Sequence, residues 1–166
     1  MQEIRVAKEQ KDLVGIKLSP HQLKELREQL ANWEDPDGQG AAAITAGLLR
    51  KPQRKAVFKL LKALLTSEHE FPLKEAIDSF GQWREPSVVP ILEALIDVAK
   101  RRKDYILLSR ILKSLYRIGT KRARQLLAPY AEYDIQLVRL AAIGRWDEIN
   151  LSTTRCEADV WPGRKQ

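Results

Sequence analysis

Along most of this chain apolar residues recur at spacings of three and four, and turn formers or helix caps interrupt the pattern at short intervals. A segment with that period cannot bury its apolar side in a sheet, so a succession of such segments must bury their faces on one another. The first runs from Pro20 to Trp33, with Ser19 as N-cap, Pro20 at the first helical position and Leu23, Leu26, Leu30 and Trp33 on one stripe. The stretch Trp33–Gly40 reads as a turn, with Asp35-Pro36-Asp37-Gly38 lacking the alternating oxygen ligands and closing glutamate of a calcium loop. A small-residue helix follows from Ala41 to Arg50, stopped by Pro52.

Beyond Pro52 the helices come in pairs. The expected segments are Gln53–Thr66, Phe71–Phe80 with Gly81 as a left-handed cap, Ser87–Lys100, Asp104–Ile118 closed by Gly119, Arg122–Ala131 and Asp134–Ile149. Ahead of them, Ile4/Val6 and Val14/Ile16/Leu18 alternate with polar residues in the manner of a short hairpin. Sliding the chain on itself exposes a repeat. At an offset of 31, Leu107, Leu112, Leu115 and Ile118 fall on Val138, Ile143, Trp146 and Ile149; at 38, Leu73, Ile77, Phe80 and Gly81 fall on Ile111, Leu115, Ile118 and Gly119. Any amphipathic helices share some spacing, but the common Ile/Phe-Gly endings favour an α-solenoid over a non-repeating bundle.

Two segments carry a family resemblance. Val88-Val89-Pro90-Ile91-Leu92-Glu93-Ala94-Leu95 resembles the first helix of a HEAT repeat, and Asp134-Ile135-Gln136-Leu137-Val138-Arg139-Leu140-Ala141-Ala142 resembles the opening of its second helix. The likeness covers residues 53–150. It departs from the family pattern where Leu107-Leu108 replaces Val-Arg, and its spacing is shorter than the usual period of about 40–47, closer to HEAT-like repeats of phycobilisome-lyase type. The resemblance implies an all-α, right-handed α-α superhelix over residues 19–150, between an N-terminal segment, 1–18, and a C-terminal tail, 151–166.

Lys and Arg number 29 against 22 Asp and Glu, a net charge of +7 that favours an acidic or polyanionic partner. Lys51, Lys55, Lys59 and Lys62 line one helix face opposite its leucines. Arg110, Lys113 and Arg117 do the same on another, continuing into Lys121, and Arg101 and Arg102 lie in a basic turn. Stacking could merge these into one phosphate-binding surface, although any amphipathic helix needs a charged solvent face. In a solenoid the second helices line the concave face, which makes Arg110, Lys113, Arg117 and Arg139 the candidates there. Trp146 falls on core-facing Leu115 in the repeat register, Trp83 reads as packing, and Trp161 stands in the tail.

The chemistry of catalysis is poorly represented. His21 and His69 stand apart from other metal ligands, and Cys156 has no neighbouring base and cannot form an internal disulfide. No metal or other cofactor is expected. With no apolar run of membrane length and no apolar leader in Met1–Lys17, the expected setting is the cytoplasm. The function expected from residues and resemblance together is non-catalytic: an adaptor or regulatory protein binding an acidic protein surface. The alternative is a DNA- or RNA-binding protein contacting phosphates. HEAT-like DNA glycosylases exist, but no catalytic residues of theirs match here. A chaperone-like role toward tetrapyrrole-bearing proteins is implied only by the lyase-like repeat length.

Overall fold

The computed structural model describes residues 15–148. Those residues are all-helical, with eight α-helices joined by short turns and 3-10 segments. Helix α1, Pro20–Ala31, starts with the expected Ser19 cap, completed by the Gln22 side chain reaching back to the Ser19 N–H. It ends two residues before Trp33, because Asn32 is extended and its side chain accepts from the Glu34 N–H. Trp33 is therefore exposed and not part of the α1 stripe. The expected turn at Asp35–Gly38 is instead the start of α2, Pro36–Gly47: Asp35 accepts from the Gly38 N–H at 2.9 Å, and Pro36 occupies the first position.

Helix α3, Lys51–Ala63, takes Pro52 into its first turn and passes into a 3-10 segment, Leu64–Thr66. Helices α4, Glu70–Trp83, α5, Val89–Arg102, and α6, Tyr105–Ile118, have 14 residues each. Helix α7, Lys121–Leu127, and α8, Gln136–Ala142, have only seven. The sequence pattern runs the last helix on to residue 149, yet Gly144 turns left-handed at φ 77° and breaks it, leaving a separate 3-10 turn, Trp146–Glu148. The Tyr116 ring occupies the space a Cβ on Gly144 would need, so apolar spacing alone could not show the stop.

The even-numbered helices pack one on the next, α2 on α4, α4 on α6 and α6 on α8, while α1 packs on α3 and α5 on α7. One continuous core, from Leu26 to Ala142, lies between these two sets. Small residues bring the even helices close. The Ser79 hydroxyl donates to the Ala43 carbonyl at 2.7 Å and lies against Gly47; the Ser114 hydroxyl donates to the Ile77 carbonyl at 2.9 Å and lies against Gly81. The same contact thus recurs from α4 to α2 and from α6 to α4.

These contacts correct the repeat register. Helix α6 begins and ends 35 residues after α4, and their left-handed caps are Arg84 and Gly119. Gly81 caps nothing; it lies inside α4. The offset of 38 errs by three residues, just under one turn, and a shift of that size leaves an apolar stripe nearly in phase. At 35, Leu73, Ala76, Ile77, Ser79, Phe80 and Trp83 fall on Leu108, Ile111, Leu112, Ser114, Leu115 and Ile118, all buried. Of the expected hairpin, residues up to Val14 lie outside the described part, and Ile16 forms an isolated parallel bridge with Leu49 instead. No helix among the described residues is long and apolar enough to cross a membrane.

Candidate functional site

Helix α6 buries Leu107, Leu108, Ile111, Leu112, Leu115 and Ile118, which leaves Ile106, Arg110, Lys113, Tyr116 and Arg117 on its opposite side. Arg110 is not a free cation. Its guanidinium reaches Glu75 at 3.0 Å and Asp78 at 2.8 Å across the α4–α6 contact, and so joins two neighbouring even helices. Burial pushes the Asp78 carboxyl above its ordinary value despite the Arg110 charge, and Asp78 Oδ1 has no hydrogen-bond partner. One turn further along, the two remaining cations meet an aromatic pair.

The left-handed Gly144 folds the chain back so that Trp146 stands edge-to-face against Tyr116, with centroids 5.5 Å apart. Lys113 Nζ lies 5.2 Å and Arg117 Cζ 5.3 Å from the centre of the Trp146 ring. Neither cation forms an ion pair among the described residues. Tyr116 is 46% exposed and Trp146 half-buried. Trp146 is thus not the core residue its repeat register made it, because α8 ends before reaching it. The result is a small platform of two rings and two charges, suited to a ligand that offers negative charge beside an apolar or planar group. The sequence signal for it was Gly144, an interruption two residues ahead of a tryptophan.

The other candidates are scattered. Arg139 donates to the Tyr133 carbonyl at 2.6 Å and so holds the loop leading into α8. Arg101 and Arg102 end α5 while Lys121 begins α7, so the length of α6, 14 residues or about 21 Å, separates them. The neighbouring Arg122 is paired with Glu93. Lys51, Lys55, Lys59 and Lys62 lie along α3, in the odd set of helices, away from the Lys113–Arg117 platform on α6. The basic residues therefore form separate groups, on α3 and on α6, in place of one merged stripe. Trp83, by contrast, is packed as expected: buried, edge-to-face with Phe80, beneath the Arg54 guanidinium and donating to the Ala46 carbonyl. Cys156 and Trp161 lie outside the described residues. Compared with known protein families, with characterised proteins and with solved structures, the chain finds no match.

Proposed function

We propose that this protein is a non-catalytic binding module, a short HEAT-like α-solenoid that holds an acidic segment of a protein partner on the α6 platform. The observation that carries the reading is the pair Lys113 and Arg117, held over Trp146 beside exposed Tyr116 and in no ion pair among the described residues. Lys113 and Arg117 are like charges one turn apart on α6, a repulsion that the Trp146 face offsets in part and an acidic ligand would offset further. Arginine and large aromatics are also the residue types that dominate protein interfaces. The stacking of alternate helices, with the serine–carbonyl contact repeated between them, supports the solenoid part of the reading.

The test is binding of labelled Asp/Glu-rich peptides, with and without an aromatic residue, followed by fluorescence anisotropy. Wild type binds in the micromolar range, and K113A/R117A weakens that binding at least tenfold, about 1.4 kcal/mol or more. An aromatic residue in the peptide improves the affinity, and the gain disappears in W146A. Equal affinity of wild type and K113A/R117A, or no binding of any acidic peptide, overturns the proposal.

A further inference from the structure

The residue sequence of α3, KPQRKAVFKLLKA, holds five basic residues and no acidic one. Several other surface cations are paired with carboxylates: Lys24 with Glu28, Lys74 with Glu70, Arg122 with Glu93, Arg145 with Glu148. Lys55, Lys59 and Lys62 have none among the described residues. Their spacing of four and three places them on one face, as a row of positive charge about 10 Å long. Like charges one turn apart repel. The helix thus carries an electrostatic cost in isolation that a polyanion would remove.

We infer that this face of α3 is a contact for the phosphodiester backbone of a nucleic acid, distinct from the α6 platform and independent of the function proposed for it. The residue types separate the two surfaces. Lysine ammonium groups are flexible point charges that suit phosphates read without regard to sequence, whereas protein interfaces are depleted in lysine and need aromatic or arginine anchors. The α3 face has no such anchor: Phe58 is partly buried against the core and edge-to-face with Phe80, and Arg54 sits over Trp83. Insertion into a membrane would require an apolar side to spare, but Val57 and Leu61 are fully buried in the core. A span of about 10 Å matches some three phosphates of one strand at 3.4 Å of duplex axis each, one per lysine.

The experiment is anisotropy of labelled duplex DNA and single-stranded RNA with the full chain, between about 50 and about 200 mM salt. Wild type binds both at low salt, and the logarithm of affinity falls linearly with the logarithm of salt. In K55Q/K59Q/K62Q the slope is shallower by about 0.9 per lysine on duplex and about 0.7 on single strands, and binding at low salt is at least tenfold weaker. K113A/R117A leaves both unchanged, so this result and that of the acidic peptides fail separately. The glutamine variant relieves repulsion in α3 and melts no lower than wild type, which separates lost binding from lost folding. Failure to bind at about 50 mM salt overturns the inference, as does an unchanged slope in K55Q/K59Q/K62Q. Equal or tighter binding to phosphatidylcholine–phosphatidylserine vesicles, lost in the same variant, overturns it in favour of a lipid surface.

Discussion

At Asp78 the Arg110 guanidinium lies 2.8 Å from one carboxylate oxygen while the other has no hydrogen-bond partner. Burial outweighs the attraction of Arg110, and the carboxyl is held above its ordinary value of 3.8. A group raised in the folded state supports folding most strongly below pH 3.8 and loses that support as pH rises and the carboxyl is made to ionise. Asp78→Asn removes this dependence while keeping the shape. The stability of the variant relative to wild type is thus expected to improve as pH rises from 3.8 and to level off once the folded carboxyl has ionised, as read by urea unfolding at several pH values; a constant difference would show that burial does not govern this carboxyl. The partner residue behaves differently. Arg110→Ala leaves two mostly buried carboxylates facing each other, and the expected loss is about 2 kcal/mol at neutral pH.

Elements are placed by their caps and by their small residues. The Ser19 cap, the closing Gly119 and the apolar stripes of α3 to α6 were all legible in the sequence, because each acts within one or two turns. What escaped was long-range. Gly81 has the composition of a helix end, yet it serves as the seat for Ser114 on the neighbouring helix, a partner 33 positions away. Gly144 ends α8 because Tyr116 fills the space beside it, and with that the tryptophan expected in the core became part of the platform. Arg110 similarly read as a binding cation until its two carboxylates on α4 were in view. Gly81→Ala tests the contact between helices. The added methyl would stand 2.6 Å from Ser114 Oγ and 2.9 Å from its Cα, so α4 and α6 must separate, and a loss of about 2 kcal/mol is expected in thermal melts. Gln82→Ala, one residue along and exposed, should change stability by less than about 0.5 kcal/mol.

Among the described residues, each even helix makes its closest packing on its neighbours in the row, so stability passes largely from pair to pair along it. Helices α4 and α6 are long and flanked on both sides, whereas α7 and α8 have two turns each and close the described fold. Hydrogen exchange should accordingly be slowest in α4 and α6 and fastest in α7 and α8; uniform protection along the chain would contradict this nearest-neighbour picture. The platform lies at that weaker end, and its geometry has a consequence for how a ligand is admitted. The Trp146 ring gives Lys113 and Arg117 the face of an indole in place of a carboxylate. A bound acidic ligand would share those two charges with the ring. Binding would redistribute both charges between carboxylate and indole, so occupancy at α6 would be felt in how firmly the Trp146–Glu148 turn is held.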